Sequence, residues 1–278
     1  MDPLDLSVYE NFEELEKTIS NAEIVIGIPS RNVYHTIAYV LHNAIKGLEK
    51  YARDRKKAII ICDGLSTDPT VEIVKVVKKY SSVPIAIVPN IVSKGKGGAI
   101  KTIIDSVHRY SDADKVILLD SDLRSISPEW IGILLNALDQ GCNYVAPLYR
   151  RHRFDATITN FIARPMTTAL YGIDIRQPIG GDFAFDKQYI DTIANSKLWL
   201  YNPWSLYFGV DIMLTHTALA HGFTVCEADL KAKIHESKDP AKHLKNMFIE
   251  VTGSLFVTAC EYSDTWKKLR VSKDSISR

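Results

Sequence analysis

Asp120 and Asp122 stand one residue apart at the end of the apolar run Val116–Leu119. Two carboxylates this close repel each other unless something positive neutralises them. A solvated turn, with the aspartates bonding the local backbone and capping a helix, is one explanation. A divalent cation is the other: Mg2+ and Mn2+ take carboxylate oxygens together with substrate phosphates, and an Asp-x-Asp supplies the first part. A second constellation, Lys94-Gly95-Lys96-Gly97-Gly98, alternates ammonium groups with glycines ahead of a helical pattern. Glycines let the backbone come close to a ligand, and a helix N-terminus favours anions. The order is not that of the phosphate-binding P-loop, and a solvated loop with solubilising lysines is the competing reading. In the third, Asp63 is followed by Ser66, Thr67 and Asp68. Asp68 is placed to cap a helix, which leaves Asp63 to meet a base or ribose.

These residues need a frame to bring them together. Residues 22–30 form a β-branched run closed by a proline, read as a buried strand, and similar runs end at Asp63, Asn90 and Asp120. Between them, apolar residues recur three and four apart, as in amphipathic helices. Strict alternation of strand and helix predicts a mostly parallel sheet with helices on both faces, an α/β fold. Ligands of such sheets sit beyond the carboxyl ends of the strands, so Pro29, Ser30, Asn32, Asp63, Lys94–Gly97 and Asp120–Asp122 are the first suspects. After Asp122 the pattern loosens. Residues 127–140 predict a helix, 143–150 a strand, 157–172 a helix broken or kinked at Pro165, 209–222 a helix ended by Gly222, 223–236 a strand, and 242–268 a closing helical region. The aromatic-rich segment Leu198–Phe208 is read mainly as core packing, with a lid over a ligand as the alternative. No repeat or linker divides the chain, so one domain, 1–278, is expected, with a donor half at 22–147 and an acceptor half at 148–270.

A formal net charge of +1 gives no general attraction to nucleic acid, and no apolar run is long enough for membrane insertion. The acidic start lacks the pattern of a signal peptide, so the cytoplasm is the expected location. Cys62, Cys142, Cys226 and Cys260 show no metal-ligand spacing and are expected as buried thiols rather than disulfides.

Together, "IPSRN", "CDGLSTDPT", "KGKGGAI" and "LLDSDL" resemble nucleotide-sugar glycosyltransferases of the GT-A fold, in order and spacing. The second half, with "RQPIGGDFAF", "YFGVDIMLTHTAL" and "KIHESKDP", is similar to the retaining subgroup of glucosyl-3-phosphoglycerate and mannosylglycerate synthases, with Asp182 where those proteins usually carry glutamate. The resemblance implies that Asp120, Asp122 and His235 hold Mg2+ or Mn2+. It implies that Pro29, Ser30, Asn32, Asp63, Lys94, Gly95, Lys96, Gly97, Ser121 and Lys238 bind a GDP- or UDP-hexose donor. Gly180, Gly181 and Asp182 would meet the sugar hydroxyls. Arg150, Arg151, Thr159, Asn160 and Arg164 would bind a small acidic acceptor, with guanidinium forks suited to a carboxylate or phosphate. Asp211 would lie by the acceptor hydroxyl, with Asp182 as the other catalytic acid; a helix-starting aspartate is the plainer reading of Asp211. A nucleotidyltransferase and a non-catalytic nucleotide-sugar sensor on the same fold are the rival functions. A homodimer is allowed for.

Overall fold

The computed structural model describes residues 9, 11–93, 95–151, 155–235 and 240–269. Helix α1 (Phe12–Ile19) precedes β1 (Ile24–Ser30), α2 (Ile37–Tyr51), β2 (Lys57–Asp63), α3 (Thr70–Tyr80), β3 (Ile85–Pro89), α4 (Lys96–Tyr110) and β4 (Lys115–Leu118). The second half runs α5 (Pro128–Asp139), β5 (Tyr144–Arg150), α6 (Arg164–Tyr171), β6 (Ala184–Asp186), α7 (Lys187–Ala194), α8 (Leu198–Tyr201), α9 (Val210–Ala220), β7 (Val225–Ala232), α10 (Pro240–Glu261) and α11 (Ser263–Trp266).

The described strands form one seven-stranded sheet in the order β3-β2-β1-β4-β6-β5-β7. β1 is buried along its whole length, which is why it reads as an unbroken apolar run. Its alternate residues feed the cores on opposite faces of the sheet, Val25 belonging to the cluster that holds Ile103 and Phe185, and Ile26 to the one that holds Leu41 and Leu134. Burying each such side chain contributes about 2 kcal/mol. Only the short β6 runs against its neighbours, pairing antiparallel with both β4 and β5. Two reversals cancel, so β5 and β7 point the same way as β1, β2 and β4. β3 runs parallel to β2, so the residues that follow all six of these strands emerge at one edge of the sheet.

Two details depart from the sequence reading. The chain does not break at Pro165; a π-turn over Thr159–Ala163 leads directly into α6, with the proline in its first turn, where a missing N–H is tolerated. Cys142 and Cys226 are not free thiols but a disulfide, with Cα atoms 6.0 Å apart. Parallel pairing of β5 with β7 sets them side by side despite the long separation in sequence. Cys62 is a buried thiol and Cys260 an exposed one. No described helix is long and apolar enough to cross a membrane.

Candidate active site

A cleft of about 580 Å3 opens at the shared carboxyl edge, lined by Pro29–Val33 after β1, Gly64 after β2, Asn90, Gly95 and Lys96 after β3, and Asp120–Asp122 after β4. Its far wall is Tyr207, Phe208 and Glu250. The turns after β1 and β2 are stitched to each other by neutral donors. Asn32, at φ 51°, accepts from the Thr67 N–H at 2.8 Å, and its own N–H donates to Ser66 Oγ at 2.8 Å. Asp68 Oδ1 accepts from the Thr70 N–H at 3.1 Å, but the N-cap position of α3 is Pro69 and not the aspartate. Asp63, by contrast, is not free for a ligand. It is wholly buried and accepts from Tyr9 Oη (2.8 Å), Ser30 Oγ (3.0 Å), and the Ser66 N–H and Oγ (both 2.7 Å). Position after a strand predicts proximity to the cleft; the partners decide that this carboxylate belongs to the scaffold.

The other end of the cleft is built from charge. Asp120 Oδ1 lies 2.8 Å from Lys96 Nζ and its Oδ2 lies 2.7 Å from Lys233 Nζ. Burial alone would raise the Asp120 carboxyl, but the charges of Lys233 and Lys96 outweigh it and hold the group well below the usual carboxylate range. Lys96 also reaches Asp211 Oδ2 at 3.3 Å. Burial pushes the Asp211 carboxyl up against the pull of Lys96, and its buried Oδ1 has no hydrogen-bond partner among the described residues. Asp182 lies behind this pair, 0 % exposed. It accepts from the Asp120 N–H at 2.7 Å, from Lys233 Nζ at 2.6 Å and from Tyr149 Oη. It therefore shapes the site from beneath and does not meet a sugar hydroxyl.

The glycines do different work from that expected. A Cβ on Gly97 would collide with the Ser205 carbonyl, and one on Gly95 with the Leu206 carbonyl. The bare backbone lets α4 start tight against the 203–206 turn, so packing against the chain by itself requires glycine at these two positions. Gly181, at φ +90°, lies against the Asp120 carboxylate, where a Cβ would collide with Oδ2; Gly180 packs on Pro147. The Gly-Gly turn is thus a wall for Asp120. Lys94 and Lys238 lie outside the described residues.

A family model for glycosyl transferase family 2 matches residues 25–193. The chain belongs to glycosyl transferase family 2. It is 27% identical over 265 residues to glucosyl-3-phosphoglycerate synthase of Petrotoga mobilis, covering 88% of this chain and 77% of that protein. It is 22% identical over 210 residues to mannosylglycerate synthase of Rhodothermus marinus, covering 70% of this chain and about half of that protein, 52%. Among solved structures, glucosyl-3-phosphoglycerate synthase from Mycobacterium tuberculosis in complex with Mn2+, UDP and phosphoglyceric acid matches with a TM-score of 0.66 at 23% identity, over 89% of this chain and 82% of that one. The same protein with Mg2+ and UDP also gives 0.66 at 23% identity, over 90% and 83%. The GT-A, Rossmann-like fold of this family 2 glycosyltransferase is thereby shown.

The expected metal trio is assembled only in part. Both oxygens of Asp120 are taken by lysines, and among the described residues no three His, Cys, Asp or Glu side chains gather as a metal cage. Asp122 lines the cleft. His235 is brought alongside by an antiparallel bridge to Leu123, backed by the Arg124 N–H donating to the Ile234 carbonyl at 2.8 Å. One carboxylate and one imidazole suit Mn2+ or Mg2+, which keep places for water and phosphate oxygens, so this pair fits the cation that the motif implies.

The acceptor arginines separate. Arg151 is mostly buried, its Nη2 3.0 Å from His235 Nε2 and its Nε 2.9 Å from Asp155 Oδ2. Arg150 alternates to the other side of β5; its side chain is 79% exposed and among the described residues pairs with Asp229, away from the candidate site. Arg164 is spent on a two-pronged pair with Asp174, both contacts at 2.6 Å. Thr159 is buried in the π-turn, and exposed Asn160 bonds the Asp155 carbonyl. Sequence reasoning missed Lys233, Tyr149 and Glu250, and read Tyr207 and Phe208, which line the cleft, mainly as core. For Lys233 the strand alternation points the wrong way. Between Leu148 and Tyr149 the β5–β7 register slips by one residue, with Lys231 at φ 65°, and this bulge turns Lys233 inward instead of Ala232.

Proposed function

We propose that this transferase moves a hexose from a nucleoside diphosphate sugar, UDP-linked in preference to GDP-linked, to the hydroxyl of glycerate or 3-phosphoglycerate. The observation that carries this reading is the cleft itself. Neutral, pre-stitched turns at Ser30–Asn32 and Gly64 stand at one end, and Lys96 with Asp120–Asp122 at the other. A base and ribose suit the first; a diphosphate and a sugar suit the second. Asp122 and His235 would hold Mg2+ or Mn2+, which when bound opposes the negative charge that develops on the departing diphosphate. Lys96 spends two of its three N–H hydrogens on Asp120 and Asp211, so one remains for a phosphate or hydroxyl oxygen. Asp211, whose buried Oδ1 has no hydrogen-bond partner among the described residues, would act beside the acceptor hydroxyl. Arg151 and Thr159 are the acceptor-side residues kept, and Ser121, its carbonyl held by Thr36 Oγ1 at 2.8 Å, positions the Asp-x-Asp loop.

UDP and phosphoglyceric acid are named with the Mycobacterium tuberculosis relative and support the donor and acceptor classes. Retention at the anomeric carbon, and the division of one domain into donor and acceptor halves, rest on the family resemblance. A cytoplasmic location belongs to the same proposal; the Cys142–Cys226 disulfide runs against it, because reducing compartments keep such pairs open.

The test mixes the protein with UDP- or GDP-hexoses, glycerate or 3-phosphoglycerate, and Mg2+ or Mn2+. Acceptor-dependent release of UDP, with a retained anomer by NMR, is expected. No release from any pair, or release unaffected by chelation of the metal, contradicts the proposal.

A further inference from the structure

We propose that Glu250 is a specificity-determining residue that accepts a hydrogen bond from a hydroxyl of the transferred hexose. The inference rests on the transferase reading for the presence of that sugar.

Placement is the first argument. Glu250 Oε2 accepts the Phe208 N–H at 3.1 Å, in the segment that leads into α9 and Asp211. One turn further along α10, Ser254 Oγ donates to the Gly209 carbonyl at 2.7 Å and accepts from Asn202 Nδ2 at 2.9 Å. Gly253 packs so closely on Trp204 that a Cβ would collide with the indole. The same segment abuts the start of α4, where Tyr207 lies against Gly95, the residue before Lys96. This chain of contacts ties Glu250 to the charged end of the cleft, with Lys96 and Asp211, and not to the turns after β1 and β2.

The second argument is charge. The cleft is lined by three acids, Asp120, Asp122 and Glu250, and the first two belong to the Asp-x-Asp motif. Among the described residues no lysine or arginine pairs with Glu250, and its hydrogen bond is to a backbone amide. An ionised carboxylate is an acceptor only, with room for several partners. A diphosphate has like charge and no hydrogen to give, so this wall repels it. A sugar hydroxyl is neutral, donates, and gains a charge-assisted hydrogen bond.

The neighbours are the third. Tyr207 and Phe208 line the same wall. A hexose carries C–H groups on its faces and hydroxyls on its rim, so an aromatic surface with one carboxylate beside it matches both. Few placed polar groups on an otherwise apolar wall are what fix the orientation of a small ligand. Asp182, expected at the sugar hydroxyls, is enclosed by Lys233 and Tyr149. Glu250 supplies the acceptor that Asp182 does not.

The test measures binding to the full chain by calorimetry in the presence of Mn2+. It compares UDP with UDP-glucose, and GDP with GDP-mannose, in wild type, Glu250→Ala and Glu250→Gln. Glutamine keeps an oxygen for the Phe208 N–H, so it carries the test if the alanine variant does not fold. For the pair that wild type binds, both variants are expected to weaken the nucleotide sugar about tenfold and to leave the nucleotide within about twofold. Across a set of monodeoxy donors, one should bind wild type about tenfold more weakly than its parent and lose nothing further in either variant. Equal weakening of nucleotide and nucleotide sugar would assign Glu250 to the ribose or to packing and overturn the inference. Unchanged binding of both would also overturn it, and either result leaves the transferase reading standing. Wild type that binds no nucleotide and no nucleotide sugar overturns the transferase reading and this inference together.

Discussion

Two carboxylates flank the end of β1, Asp63 on β2 and Asp120 just beyond β4, and they are held in opposite ways. Four hydrogen bonds from uncharged donors hold Asp63. Asp120 is held by two ammonium groups, one of which faces the cleft. An incoming polyanion has no charge at Asp63 to compete for, because its partners are hydroxyls and an amide already fixed by the turn. At Asp120 the same polyanion competes for Lys96. Neutral donors make a scaffold, and cations make a site that a charged ligand can rearrange.

Substitutions on the two sides should therefore fail differently. Asp122→Asn is expected to lower kcat roughly 10³-fold, as loss of charge stabilisation in a transition state does. Its melting temperature should stay within about 2 °C of wild type, because the residue lines an open cleft. Lys96→Met should lower kcat about 10²-fold with Lys233 still compensating Asp120, so urea unfolding should show a smaller change than the kinetics. Asp63→Asn reverses the pattern: about 2 kcal/mol of stability lost in urea unfolding, with kcat per folded molecule nearly unchanged. If Asp63→Asn instead abolished transfer in a stable protein, the contrast would collapse. On the acceptor side, Arg151→Ala should raise acceptor KM about tenfold while leaving donor KM alone, and Arg150→Ala should change neither by more than about twofold.

A separate effect concerns pH and tests the scaffold alone. His216 bridges Thr167 on α6 and Thr258 on α10 through its two ring nitrogens, and burial lowers its pKa from 6.5 to about 3. The folded value lies below the unfolded one, so the contribution is fully present above pH 6.5. It is lost as pH falls through the window from 6.5 to about 3, by roughly 1 kcal/mol per pH unit. His216→Gln should flatten the wild-type slope of urea midpoints between pH 6 and pH 4; an identical slope would remove the histidine from the account.

Much of this was legible in the chain. Apolar runs ending in Ser30, Asp63, Asn90 and Asp120 were enough to place the cleft, since strand and helix alternate and the carboxyl edge is then fixed. What a polar residue does at that edge was not legible, because its partners lie far away in sequence. Asp63 looked available until Tyr9 and Ser30 were seen to occupy it. Asp182 looked like a sugar ligand, yet Lys233 and Tyr149 enclose it. Arg150 and Arg151 read as one basic cluster, and strand alternation sends only Arg151 inward. A one-residue bulge that turns Lys233 inward has no mark in the sequence at all.

The central claim is that the cation belongs to Asp122 and His235 while Asp120 stays with its lysines. An anomalous difference map from crystals grown with Mn2+ and UDP tests it most directly. The account predicts one manganese peak coordinated by the Asp122 carboxylate and His235 Nε2, with Arg151 displaced from that nitrogen and Asp120 still paired to Lys233. A peak coordinated by Asp120, or no peak beside Asp122, would contradict it.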